Sequence, residues 1–412
     1  MKILWITNQV FPVVSQYLGQ AKTVIGGWTY SAAEEIKKLP NIELAVASLY
    51  MGNEFKEITL DGDRYYLIPC YGNKMKYNKS LEGHCKTISD SFMPDVVHIY
   101  GTEYPITLAY INACGSNNVV VSMQGVPALY TRYFFSGINL IDILKHPVML
   151  LEKISFDRNN NIEKMALSKI KIFEGRSNWD HSVAWTYSPN CHYYHCNRTL
   201  RASFYQDSWD ISRITRHSIF LSQAQYSIKG LHQVIKALPL ILRLYSDTRV
   251  YVAGNSPFAH KGFKGFIKSL GYGGYVKNLI KKYKVGDYFE FLGSLNEHQM
   301  VDRYKKSHIF VCPSTIENVP NSVAEAQILG VPTIASYVGG DSTLIDENTN
   351  GLLYRFEEYE MLAKGICDIF ESDELALKCS TNGRETALKR HNKERNMSAL
   401  TAMYNDICLA SK

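Results

Sequence analysis

"HIFVCPSTIENVPNSVAEAQILGVPTIAS" (residues 308–336) is the stretch on which the fold turns. "HIFVCPS" is dominated by apolar residues and stops at Pro313, the pattern of a buried strand. "SVAEAQILG" (322–330) reads as a short helix closed by Gly330, with Pro332 just beyond. "PTIAS" is the next strand. Strand, loop, helix and strand make a βαβ unit, so the loop 317–321 lies at the carboxyl end of a parallel strand and at a helix N-terminus. Such a place offers backbone N–H groups and the positive end of a helix dipole, and it suits a diphosphate. Asn318, Val319, Pro320 and Asn321 are compatible with a tight backbone cradle around a polyhydroxylated group. Two carboxylates divide the work. Glu325, about one turn into the helix, suits vicinal hydroxyls such as those of a ribose, and Glu317 points at whatever the diphosphate carries. Ser322-x-x-Glu325 also fits a capping box, in which Glu325 serves only its own helix. Taken alone, Glu325 supports both readings equally.

The same alternation recurs along the chain. "KILWITN" (2–8), a glycine loop, the helical spacing of "GGWTYSAAEEIKKLP" and "IELAVASLY" (42–50) open a first Rossmann-like series. "DVVHIYG" (95–101) and "NVVVSMQG" (118–125) are further strands ending in glycine, where an open parallel sheet places ligands. Apolar stretches within 126–170 read as helices. A second series runs through "HSIFLSQ", "KGLHQVIKALPLILRLY", "TRVYVAG", "YFEFLGSL" and "HIFVCPS". The expected fold is α/β: two Rossmann-like domains facing each other across a cleft. The first spans 1–207 and the second 208–390, with a C-terminal helix in 391–412 packing back on the first.

Length and composition agree. At 412 residues the chain is long for one domain. A composition 46% hydrophobic and 20% charged suits globular cores, and a formal charge of +6 suits an anionic ligand or an acidic membrane surface rather than nucleic acid. Nine cysteines show no disulfide framework, and "MKILWITNQV" lacks the features of a secretory signal, so a reducing, cytoplasmic compartment is expected. "CHYYHC" (191–196) matches no common zinc spacing and reads as a strand. Asp61-Gly62-Asp63, flanked by "EITL" and "RYYLIP", reads as a hairpin turn rather than a metal site.

Glu317-x7-Glu325, a strand before it and "AQILGVPTIAS" with "VGG" after it, resembles the retaining GT-B glycosyltransferases of the family 4 type. The resemblance extends through Gly26-Gly27, the "VVVSMQG" strand end, "SQAQYSIKG" (222–230), "VYVAGN", "FLGSL" and "GLLY". "EGRSNWDHSVAWTYSPNCHYYHCNRTLRASFY" further resembles a bacterial subgroup of surface-polysaccharide assembly, in capsule, exopolysaccharide or O-antigen biosynthesis. This likeness implies transfer of a sugar from a nucleotide-diphosphate sugar to a glycan or lipid-linked acceptor with retention. No cofactor and no metal are implied. Gly26 and Gly27 would approach the donor diphosphate, and Lys229 would pair with it. Ser294 would meet the base, Glu317 and the amides from Asn318 to Ser322 would hold the donor sugar, and Glu325 the ribose. Lys229, Glu317 and Gln124 are the implied catalytic set. Acceptor-side candidates are Glu103, Arg176, Trp179 and Asp180. Two positions depart from the family. Ala224 stands where an arginine is common, which makes Arg176 a candidate second cation, and Gln124-Gly125 replaces His-Gly, so Gln124 can bond a sugar hydroxyl but cannot act as a base.

Three rivals bear on these residues. A non-hydrolysing sugar-nucleotide epimerase would need acid and base groups where Gln124 stands. A catalytically silent nucleotide-sugar-binding subunit is consistent with both departures. A Rossmann dehydrogenase lacks its spaced glycines after Gly26-Gly27. Peripheral contact with the inner face of the plasma membrane is expected from the apolar 138–156 region and the positive charge.

Overall fold

The structure is a computed structural model and describes residues 1–20, 27–257 and 262–410. The chain divides into two compact units, one of residues 1–129, 157–201 and 391–412 and the other of 130–156 and 202–390.

The first unit is built on β1 (Lys2–Thr7), β2 (Glu43–Tyr50), β3 (Lys56–Leu60), β4 (Asp63–Pro69), β5 (Val96–Tyr100), β6 (Val119–Ser122), β7 (Ile172–Gly175) and β8 (His192–His195). They form one sheet in the order β3-β4-β2-β1-β5-β6-β7-β8. Only β3 and β4 pair antiparallel. They are joined by Asp61 (φ 51°) and Gly62 (φ 86°), two left-handed residues that make a tight hairpin turn of the Asp-x-Asp stretch. Near-continuous apolar strands such as β1 and β5 are buried on both faces, as a doubly covered parallel sheet requires. Helix Lys393–Ala410 closes one face. Its Tyr404 hydroxyl accepts from Trp5 Nε1 (3.0 Å) and bonds His98 Nδ1 (2.6 Å), deep beneath the sheet.

The second unit carries β9 (Thr215–Leu221), β10 (Arg249–Ala253), β11 (Phe289–Gly293), β12 (Ser307–Cys312), β13 (Thr333–Ser336) and β14 (Leu352–Tyr354). All are parallel, in the order β11-β10-β9-β12-β13-β14.

Two boundaries differ from the sequence expectation. Residues 130–156, placed in the first half by chain order, belong to the second unit. Val148 N donates to Leu270 O (3.1 Å), Tyr272 N to Glu152 (3.1 Å), and His232 Nε2 bonds Ser136 O (3.0 Å). The linker 202–207 also belongs there rather than to 1–207. Phe204 is fully buried against Tyr304, and just beyond it the indole of Trp209 donates to Ser307 O (2.8 Å).

Candidate active site

In an open parallel sheet the ligand crevice lies where the strand order reverses, at the carboxyl ends of the two strands flanking that point. In the second unit those strands are β9 and β12, and the residues that follow them meet. After β9 a short 3₁₀ turn, Ser227–Lys229, delivers Lys229. After β12 the chain runs through Pro313 and Ser314 to Glu317. Lys229 Nζ donates to Glu317 Oε1 at 2.6 Å, and Ser314 Oγ donates to the same oxygen at 2.7 Å. Two glycines permit this approach. Gly230 is left-handed (φ 69°), and a Cβ on it would stand 1.6 Å from Pro313 O. Gly339 (φ 51°) would place a Cβ 1.8 Å from Glu317 O, the oxygen that accepts Gly340 N (3.0 Å). Any side chain at either position would push the two loops apart.

Three groups unforeseen from sequence lie in the same neighbourhood. Asp341, just past the Gly339-Gly340 turn, is fully buried, and neither of its carboxylate oxygens has a hydrogen-bond partner among the described residues. Burial, reinforced by the Glu317 charge, pushes its pKa well above the ordinary value of 3.8 and favours the neutral form. Burial likewise pushes Cys312 and Tyr354 up. For Lys229 burial alone would favour the neutral amine, but the Glu317 carboxylate outweighs it and holds the pKa above the ordinary lysine value. The site thus keeps one ion pair beside a fully buried acid whose neutral form is favoured. A carboxylate one residue past a Gly-Gly turn was the only signal for Asp341, and such residues usually face water.

The helix after the loop is Asn321–Leu329, with Pro320 at its N-cap and no side-chain cap. Ser322 is therefore inside the helix, and proline offers no N–H for Glu325 to accept. The capping-box reading of Glu325 fails for that reason. Asn318, Val319 and Pro320 are buried, Asn321 and Ser322 half-buried, and Glu325 is 9% exposed. Ser294 is exposed just after β11. Gly27 opens the helix Gly27–Ile36, and Gly26 lies outside the described residues. Ala224, the position of the departed arginine, is buried.

The first unit has its own switch point, between β1 and β5. Asn8 Nδ2 there donates to Tyr100 O (3.1 Å) and Glu103 Oε1 (3.2 Å). Gly101, with φ 101°, leaves room for the Glu103 carboxyl, which a Cβ would meet at 2.3 Å. Burial raises the pKa of Glu103 to about 7. Gln124 is half-buried just beyond β6, in this unit. Two of the acceptor-side candidates have partners within the first unit. Asp180 forms a capping box with Ser177 on the helix Asn178–Tyr187, and its oxygens also accept from Arg176 N (2.9 Å) and the Tyr193 hydroxyl. Trp179 packs, partly buried, against the apolar core. Arg176 is 4% exposed and sits beside them.

Residues 207–386 match the family model "Glycosyl transferases group 1". Spore coat protein SA of Bacillus subtilis is 26% identical over 179 residues, 43% of this chain and 45% of that protein, so the match spans under half of the relative's length. Among solved structures, sucrose-phosphate synthase from Thermosynechococcus elongatus superposes with a TM-score of 0.70 at 15% identity, covering 100% of both chains. A protein of Anabaena solved with UDP and glucose superposes with a TM-score of 0.65 at 14% identity, covering 98% of this chain and 99% of its own. The chain therefore has the GT-B fold of two Rossmann-like units, and its residues 207–386 match the group 1 glycosyl transferases.

Proposed function

We propose that this chain is a retaining glycosyltransferase that moves a sugar from a nucleotide-diphosphate sugar to a glycan or lipid-linked acceptor. The observation that carries the reading is the Lys229–Glu317 pair, 2.6 Å apart at the switch point of the second unit. It is supported by the group 1 match over the same residues and by UDP in the Anabaena structure.

The difficult step is cleavage of the anomeric C–O bond, whose electron pair passes to a diphosphate oxygen. Lys229 supplies fixed positive charge to that oxygen, as does the N-terminus of Asn321–Leu329, and neither has to reorganise as the bond breaks. No metal is needed in this scheme. Glu317 accepts from a hydroxyl of the departing sugar and Glu325 from the ribose, while Ser294 meets the base. The acceptor hydroxyl attacks from the face the diphosphate leaves, giving its proton to the leaving oxygen, so configuration is retained. Gln124 and Glu103 are assigned to the first unit's share of the substrate. We place the reaction in surface-polysaccharide assembly at the cytoplasmic face of the membrane. Contact with the bilayer would use the exposed aliphatic side chains of Leu140–Lys145 and Val148–Asp157.

The test is binding and turnover of uridine, guanosine and adenosine diphosphate sugars by the wild type and Glu325→Ala. One nucleotide should bind tightly and the variant should lose most of that affinity. Equal binding by both, or no binding at all, would overturn the reading.

A further inference from the structure

The first unit holds a second polar pocket, apart from Asn8 and Glu103. Its centre is Arg198, in the segment that follows β8. The side chain is 7% exposed, and its guanidinium lies over the Trp28 ring at 3.9 Å from the ring centre. Its Nε and Nη2 have no hydrogen-bond partner among the described residues. Asn396, on the helix Lys393–Ala410, is equally buried, and its Nδ2 has none either. Both line one pocket, partly open to solvent, together with Trp28, Tyr100, Ser122 and Glu174.

A buried cation whose N–H donors stay unpaired is costly, because it loses its hydration without replacement. Glu174 and Asp180 act on its charge from nearby, but their hydrogen bonds go to other groups. Glu174 takes the Ser122 hydroxyl, and burial raises its pKa towards the neutral form. Asp180 caps its helix. His98 is held between Tyr404 and Ser122, and burial lowers its pKa to about 3, so it adds no charge. Burial, and after it the like charge of Arg176, lower the Arg198 pKa to about 9, still protonated at neutral pH. The orphaned atoms lining the pocket are all donors: two guanidinium N–H positions in one plane and an amide NH₂. Their complement is a planar or tetrahedral oxyanion with several acceptor atoms, the geometry that arginine recognises best.

We propose that Arg198 and Asn396 form an oxyanion site that receives the carboxylate or phosphate group of a saccharide, and that the acceptor of this enzyme is acidic. The second half rests on the transferase reading above; the site itself does not. Calorimetric titration of glucuronate, glucose 6-phosphate and glucose into wild type, Arg198→Gln and Asn396→Ala tests it. At least one anionic probe should bind the wild type where glucose does not, and the tighter of the two names the acid group. Arg198→Gln should weaken that binding by at least about tenfold and Asn396→Ala by about three- to tenfold, the range for bonds to charged and to neutral groups. Nucleotide binding should be unchanged in both. If Arg198→Gln does not fold, Asn396→Ala decides alone. Failure of both anions to bind better than glucose, or wild-type affinity in the folded variants, would overturn the site. Loss of nucleotide binding by the wild type would overturn the transferase reading and leave the oxyanion site standing.

Discussion

Lys229 and Glu317 hold each other in the structure, and a donor has to compete for both. Replacing Glu317 with Gln leaves Lys229 freer to meet a diphosphate. We therefore expect Glu317→Gln to bind a free nucleoside diphosphate up to about fivefold more tightly, the worth of a partly exposed ion pair, while turnover falls. Lys229→Met should lose about 10²–10³ in turnover, as when one fixed donor to a developing anion is removed. Titration calorimetry and steady-state kinetics on the same preparations separate the two effects. Asp341 gives a test on pH. Its folded pKa lies above the ordinary value of 3.8, so the folded chain keeps a proton that the unfolded chain loses. Stability contributed by this group is lost as pH rises above the unfolded value. Asp341→Asn should gain stability relative to the wild type in urea denaturation as pH rises above about 4. The residues of the Glu-x7-Glu stretch were legible because a strand, a glycine-closed helix and a proline fix their surroundings locally. Asp341 and Arg198 were not. Each owes its burial to partners far away in sequence, and an acid after two glycines or an arginine in "CNRTLR" otherwise reads as a solvated side chain.

At the scale of elements, strands were the most readable part of the chain, since a two-sided parallel sheet demands unbroken apolar runs. Helices 126–170 were readable as helices but not as to where they pack. Their attachment to the second unit depends on single bonds such as Glu152 to Tyr272 N, which leave no periodic trace. The same two helices carry the largest concentration of exposed apolar side chains. Leu140, Ile141, Leu144, Leu151 and Ile154 are 62–69% exposed, and Phe266, on the helix tied to them through Val148 N and Leu270 O, is 61% exposed. Lys145 and Lys153 lie among them beside Asp142, Glu152 and Asp157, so attraction to an anionic bilayer would come from the positive charge of the whole chain. No helix among the described residues is long and apolar enough to cross a membrane. Wild type should sediment with vesicles containing anionic lipid at low salt. Ile141→Asp with Leu144→Asp should cut the bound fraction at least about tenfold, because each buried aliphatic side chain is worth roughly 1.5–3 kcal/mol. Sedimentation by the variant equal to that of the wild type would remove the bilayer from the scheme.

On the scale of the whole molecule, the chain leaves the first unit at Arg201 and returns to it at His391. Its last helix is therefore part of a core begun at β1. Met403, Tyr404 and Ile407 complete the apolar cluster around Trp5, and Tyr404 is the polar centre of that cluster. Its hydroxyl satisfies Trp5 Nε1 and His98 Nδ1, both buried and some 300 or more positions away in sequence, at separations of 399 and 306 residues. His98 is neutral in this setting and cannot compensate by ionising. Tyr404→Phe keeps the ring and removes only the oxygen, so the loss is confined to the polar groups it serves, those of Trp5, His98 and Tyr100. Leaving a buried donor unsatisfied costs about 1–3 kcal/mol, and the variant should unfold at correspondingly lower denaturant. Nucleotide stabilises only the unit that binds it. Saturating nucleotide should therefore restore little of the loss if the first unit unfolds on its own. Full restoration would mean that the two units unfold as one cooperative body.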